Sequence, residues 1–140
     1  MRFKTPLKVT SIPGTADWVL DEDLIYVASD GRLFRAPKGS ITDFFSIPGV
    51  LRGVFFRARR YAEASVLHDA AYRGTLEECV VGVWDTAIIS RAYSDEMLLK
   101  EPLEVLDAPS SLVRTTYLGV RAGGYWSFKG AARGATTPED

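Results

Sequence analysis

The chain has 140 residues, 46% of them hydrophobic and 25% charged, with 17 basic and 18 acidic side chains. This length and composition indicate one globular domain, and the balanced charge gives no net attraction towards nucleic acid or an anionic membrane. No apolar run approaches the roughly 18 residues that cross a bilayer, and residues 1–6 lack the apolar stretch of a signal peptide. A single cysteine, Cys79, excludes an intramolecular disulfide and a cysteine-based zinc site. We therefore expect synthesis and folding in a reducing cytoplasm.

The first 40 residues are typical of β-structure. Residues 24–28 are rich in strand-forming side chains, and residues 32–36 alternate between apolar and other side chains. Asp30-Gly31 lies between these two segments. Because Asp-Gly favours positive φ angles, the pattern predicts a β-hairpin closed by a type I′ turn.

From Ser46 onward the pattern becomes helical. Ser46 is a candidate N-cap with Pro48 in the first turn, and Gly74 is a candidate C-terminal stop. The two prolines within 101–109 indicate a loop. The pattern predicts four helices, at residues 46–55, 61–72, about 83–97 and 110–121.

The predicted fold is α+β: a small N-terminal antiparallel sheet or hairpin packed against three to four helices. Residues 1–129 are expected to form a single globular domain. Residues 130–140 are rich in Gly, Ala and Thr and are expected to form a flexible C-terminal tail, because such a segment buries little apolar surface. The aromatic segment Tyr125-Trp126-Ser127-Phe128 is expected to pack or to contact a partner just before that tail.

Five polar residues in apolar surroundings are the candidate site. His68, the only histidine, is followed by Asp69 and lies one helical turn before Tyr72. Asp43 lies beside two phenylalanines, and Asp85 follows a tryptophan. Buried polar groups without partners are costly, so these side chains are expected to be hydrogen-bonded, ion-bound or catalytic.

Two interpretations of this cluster remain open. In the first, Asp43, His68 and Asp85 ligate a divalent metal ion, since one imidazole with carboxylates suits Mn²⁺, Mg²⁺ or a water-bearing Zn²⁺. Asp69 and Tyr72 then complete a set of candidate catalytic residues. In the second, which the sequence favours, the same groups form an architectural network in which His68 links the Asp43 carboxylate to the helix predicted at 61–72. No H-E-x-x-H, G-x-S-x-G or phosphate-loop motif is present, so no catalytic motif is recognised.

The motifs together resemble a phage-associated family, domain-of-unknown-function family 1353. The family pattern contains lysine-glycine, T-D-x-x-S-x-P, H-D-x-x-Y on an alanine-rich helix, an aspartate on a later helix, and Y-x-x-V-R. The matching segments are Lys38-Gly39, residues 42–48, residues 64–72, Asp85 and residues 117–121. In the family a basic residue shortly precedes the later aspartate, whereas none of residues 79–84 is basic.

This resemblance implies a bacteriophage or prophage origin. The expected function is a virion structural or tail-assembly protein, from the tail or connector region, that acts through protein–protein contacts. Its expected partners are other phage structural proteins or further copies in an oligomer, with no nucleic acid and no membrane insertion. Its expected location is the host cytoplasm during assembly and then the virion. The alternative is a small metal-dependent hydrolase that uses the Asp/His cluster.

Overall fold

The computed structural model describes residues 2–43, residues 61–123 and Phe128. Within these residues the fold is α+β, as predicted, with two antiparallel sheets and three helical regions. The predicted helix at 46–55, the aromatic segment except Phe128, and the predicted tail at 130–140 lie outside the described residues.

A five-stranded sheet and a three-stranded sheet contain all the described strands. The larger has the order β1-β4-β5-β7-β8 and the smaller β2-β3-β6, with every neighbouring pair antiparallel. The strands are β1 (Arg2–Phe3), β2 (Val9–Ser11), β3 (Trp18–Leu20), β4 (Leu24–Val27), β5 (Leu33–Ala36), β6 (Ile41–Thr42), β7 (Glu77–Val80) and β8 (Val83–Thr86).

The predicted hairpin at Asp30-Gly31 is confirmed, but its turn type was wrong. β4 and β5 pair from Leu24↔Ala36 to Val27↔Leu33. Gly31 has a φ of 88°, whereas Asp30 is not among the residues with positive φ. The amide of Gly31 donates to the Ala28 carbonyl at 2.9 Å. The connection is therefore a turn followed by one left-handed glycine, which is the three-residue type of hairpin loop.

The helical regions are α1 (Ala62–Arg73), a continuous helical stretch, and α4 (Ser110–Gly123). The continuous stretch consists of α2 (Arg91–Asp95), a π-helical turn (Glu96–Lys100) and α3 (Glu101–Val105). The predictions for α1 and α4 agree with the structure to within two residues. The loop predicted at 101–109 was wrong for its first half, because the helical stretch continues through Pro102, which directly follows the π-helical turn.

The helix predicted at 83–97 was also wrong over its first half. Residues 83–86 form strand β8, which pairs with β7 through the register Val80↔Val83. Val81 and Gly82 connect the two strands with φ angles of 51° and 77°. Two successive positive φ values give the type I′ turn that matches the twist of a hairpin. The apolar run from residue 79 to 84 fitted a helix or a strand equally well. In the structure its two halves belong to β7 and β8, which pair with each other, and β7 also pairs with β5.

Among the described residues the core has two parts, and α1 contributes to both. One part fills the space between α1 and the strands, with Tyr26, Phe34 and Leu67 fully buried. The other joins the helices, with Leu99, Leu103 and Val113 among its members. Every residue of α1 from Ala64 to Tyr72 is buried. A helix buried on all sides must satisfy its polar side chains internally, and this requirement positions the site.

Candidate functional site

A buried carboxylate, Asp95, lies at the centre of a network that joins three helices. The Nε2 atom of His68 lies 2.8 Å from its Oδ1 atom. The hydroxyl of Tyr72 donates to the same oxygen at 2.6 Å. Arg121 donates to Oδ2 at 2.9 Å, and the Nη1 atom of Arg91 lies 3.6 Å from Oδ2. Each carboxylate oxygen is thus engaged by at least one donor.

The helices place these side chains by simple spacing. His68 and Tyr72 are four residues apart on α1, so both extend from one face of that helix. Arg91 and Asp95 have the same spacing on α2. Arg121 comes from the last turn of α4 and closes the network from the third side. The network therefore fixes the mutual positions of α1, α2 and α4.

The electrostatics of Asp95 are dominated by its partners. Burial by itself favours the neutral acid and raises the pKa of Asp95, but the hydrogen bonds from His68, Tyr72 and Arg121 outweigh it and lower the pKa below its ordinary value. Burial and the neighbouring carboxylate both raise the pKa of Tyr72, so this phenol stays a proton donor. The network thus holds an ionised carboxylate in a fully buried position.

The contact with Asp95 also determines the state of the histidine ring. An ionised carboxylate only accepts hydrogen bonds, so Nε2 of His68 carries the proton. The Nδ1 atom is buried and has no hydrogen-bond partner among the described residues. The imidazole also packs against the ring of Tyr72 at a centroid distance of 4.2 Å. The neighbours of His68 therefore fix the orientation of its ring, with Nε2 facing Asp95.

A second cluster connects the T-D motif to α1. Arg73 contacts Asp69 through Nε at 3.2 Å and Asp43 through Nη2, also at 3.2 Å. Thr42 hydrogen-bonds to Asp69. Burial raises the pKa of Asp69, and the contacts with Thr42 and Arg73 offset only part of that effect. The T-D motif at residues 42–43 and the H-D-x-x-Y motif on α1 are therefore connected through the side chains of Thr42, Asp43, Asp69 and Arg73.

The structure gathers four of the five predicted site residues around α1. His68 and Tyr72 share Asp95, while Asp43 and Asp69 share Arg73. The predicted direct link between Asp43 and His68 stays a prediction. Asp85 is not brought to the others, because it lies exposed on β8 and accepts a hydrogen bond from the backbone of Thr86 at 2.8 Å.

No group of three His, Cys, Asp or Glu side chains suited to a metal ion exists within residues 2–43 and 61–123. Asp43, His68 and Asp85 all fall in these ranges, so the described structure does not assemble them as the proposed ligand set. Over the same ranges, no helix combines the length and the hydrophobicity of a membrane-spanning segment.

Three residues of the network, Arg91, Asp95 and Arg121, were not among the candidates. A signal that could have identified Asp95 is its spacing, because it follows Arg91 by four residues inside a segment predicted to be helical. Asp95 lies on α2 four residues after Arg91, whereas Asp85 lies on a strand with no basic residue before it. Arg121 ends the Y-x-x-V-R segment.

Comparison with known proteins places the chain in a family but supplies no activity. Neither the curated proteins nor the solved structures contain a significant match. The model of a family described as "Protein of unknown function (DUF1353)" matches residues 18–120, which include every residue of the two clusters around α1 except Arg121. The chain belongs to this family of proteins of unknown function, DUF1353.

Proposed function

We propose that this protein is a phage-encoded virion structural or assembly protein, which acts by binding other virion proteins, and that its Asp95 network serves the fold. The phage setting is supported by the motif resemblance at residues 42–48 and 64–72. The observation that carries the binding role is the burial of the polar cluster. The side chains of His68 and Asp95 are both 0% exposed.

A catalytic interpretation requires a group that can reach a substrate. In this network, however, the protonated nitrogen of His68 is occupied by Asp95, and the phenol of Tyr72 donates to the same carboxylate. Two arginines, Arg91 on the same helix and Arg121 on α4, compensate the charge of that carboxylate. Such an arrangement holds helices together, as paired buried charges commonly do, and leaves the surface to perform the function.

Deleting the gene from the phage or prophage that carries it is the direct test. We expect fewer infectious particles, incomplete particles by electron microscopy, and rescue by a plasmid copy. The protein should also be detected by mass spectrometry in purified particles or in their assembly intermediates. Normal particle yield and structure after deletion, with no protein in any particle fraction, would refute the proposal.

The hydrolase alternative makes a different prediction. Nδ1 of His68 and Oδ2 of Asp69 are both buried without a hydrogen-bond partner in the described parts of the chain, and imidazole nitrogens and carboxylate oxygens are both metal-ligating atoms. Calorimetric titration with Mn²⁺ and Zn²⁺ tests this point. Stoichiometric binding to the parent protein that is absent in His68→Gln would favour the hydrolase, and the absence of binding in both would favour the assembly role.

A further inference from the structure

The turn between β7 and β8 presents an unusual group of apolar side chains to solvent. Val80, Val81 and Val83 are 59%, 96% and 64% exposed. They are three of the five large hydrophobic side chains that are exposed within the described residues. Scattered surface valines need no explanation, but Val80 and Val83 are paired across the hairpin and Val81 lies in the turn between them, so the three concentrate exposed apolar surface at one place. We call these three residues the valine tip.

The backbone of the valine tip adds a second observation. Val81 has a φ of 51°, in the left-handed region that a β-branched residue rarely occupies. At this first position of a type I′ turn, asparagine, aspartate or glycine is the usual residue. Because its side chain is almost fully exposed, Val81 gains little packing within the described fold to offset that strain. Strain at an exposed position is a feature of binding sites, where a partner supplies the missing contacts.

A second copy of the chain is a poor occupant for this region. β8 is an edge strand of four residues, and the Asp85 side chain on it accepts the backbone N–H of Thr86. A short edge strand with a charged side chain is typical of an edge that resists pairing with another strand. Pairing between two β8 strands centred on Asp85 would also place two carboxylates opposite each other.

An anionic membrane is a poor occupant as well. The segment from residue 74 to residue 90 contains Glu77, Glu78 and Asp85 but no lysine or arginine. Arg35 pairs with Glu77 at 2.6 Å, and Arg32 pairs with Glu78 at 2.7 Å. The carboxylate that remains outside these ion pairs, Asp85, gives the hairpin a local negative charge, which anionic lipids would repel.

We propose that the valine tip inserts Val81 into an apolar pocket on another virion protein, and that Asp85 faces a basic group at the rim of that pocket. Val83 and Asp85 lie on the same side of β8, because side chains two residues apart share a face. An apolar anchor with a charged neighbour is the usual composition of an interface centre and its rim. This inference rests on the proposed assembly role and names the surface through which that role is performed.

The experiment uses particles purified from a phage that lacks the gene, mixed with the labelled full-length protein and pelleted. Val81→Asn keeps a residue suited to the turn but removes the apolar anchor. We expect it to weaken binding about tenfold or more, as removal of an interface anchor does. Leu118→Asn, at another exposed apolar residue, is the matched control and should bind like the parent. Asp85→Asn should bind more weakly than the parent at low salt and lose much of the salt dependence.

Thermal unfolding of each variant separates binding from folding. Val81→Asn should unfold at the same temperature as the parent or higher, since it relieves backbone strain. Unchanged particle binding by Val81→Asn would overturn the valine-tip proposal but leave the assembly role intact, whereas no binding by the parent would count against the assembly role itself. Concentration-dependent dimerisation lost in Val81→Asn, or Val81-dependent binding to vesicles containing phosphatidylglycerol, would overturn the proposed partner in favour of a second copy or a lipid surface.

Discussion

The Asp95 network and the valine tip depart from the usual distribution of residues in opposite ways. The network holds a charged carboxylate at zero exposure, whereas the tip holds Val81 at 96% exposure. The buried charge is matched by hydrogen bonds and ion pairs within the chain, so the free energy lost by burying the carboxylate is offset by other residues of the same chain. The exposed valine has no comparable compensation in the described residues. An unfavourable feature that other residues of the chain offset, such as buried Asp95, indicates a structural role. An unfavourable feature that nothing in the described residues offsets, such as exposed Val81, indicates a binding partner.

The largest effect should come from removing the centre of the network. Asp95→Ala leaves Arg91 and Arg121 without their carboxylate, and breaking a buried ion pair costs about 3–5 kcal/mol of unfolding free energy. Urea unfolding at neutral pH measures the loss. Asp85→Ala is the matched control, because an exposed aspartate outside such a network should change stability by about 0.5 kcal/mol or less. Equal losses in the two variants would show that Asp95 has no special role.

Protonating Asp95 should weaken the same network less severely. Because its pKa is lowered in the folded state, its contribution is present above the ordinary aspartate pKa of 3.8 and is lost as the pH falls through the folded value. We expect the unfolding free energy to decline below about pH 4 for this reason. Asp69 has the opposite sign: its pKa is raised, so its contribution is lost as the pH rises through its folded value. Stability curves against pH for Asp95→Asn and Asp69→Asn should therefore differ from the parent curve in opposite directions.

Removing one donor should cost less than removing the carboxylate. Tyr72→Phe deletes a buried hydroxyl that donates to Asp95, and hydrogen bonds to charged groups contribute about 1.5–3 kcal/mol. Tyr93→Phe deletes a hydroxyl that donates to Asp30 at 2.8 Å, but at an exposed position. Chemical unfolding of both variants should give the larger loss for Tyr72→Phe. A larger loss for Tyr93→Phe would contradict the central role given to the network.

The sequence predicted a structural element correctly where the interactions that define it join residues close together in the chain. Local signals identified α1, its end at Gly74 and the β4–β5 hairpin, because spacing, a left-handed glycine and Asp-Gly act within a few residues. The pairing of β5 with β7 joins Leu33 to Cys79, and no local pattern specifies such a contact. The strand at residues 83–86 was mistaken for the start of a helix because it pairs only with β7, whose own place in the sheet depends on that long-range contact, and Val81 is not a residue that signals a type I′ turn.

The candidate site shows the same limit. His68 and Tyr72 were identified because an isolated histidine with an i+4 tyrosine is visible in the sequence. Asp95 lies 27 positions from His68, and only folding brings the two together. The spacing between Arg91 and Asp95 offered a local indication, but Asp85 in its apolar setting was the more conspicuous aspartate.

The smallest predicted effect is at the valine tip and has the opposite sign. Val81→Gly should increase the unfolding free energy, because glycine adopts a φ of 51° without the clash of a Cβ atom. The gain is partly offset by the greater freedom of glycine in the unfolded chain, so we expect about 0.5–1 kcal/mol. Gly82→Ala is the mirror-image control: its φ of 77° strains any residue with a side chain, and it should lose stability. Urea unfolding of the two variants beside the parent decides the matter. A loss of stability in Val81→Gly would mean that the valine packs within the chain. The valine tip would then stabilise the fold, as Asp95 does, and would not be a surface left for a partner.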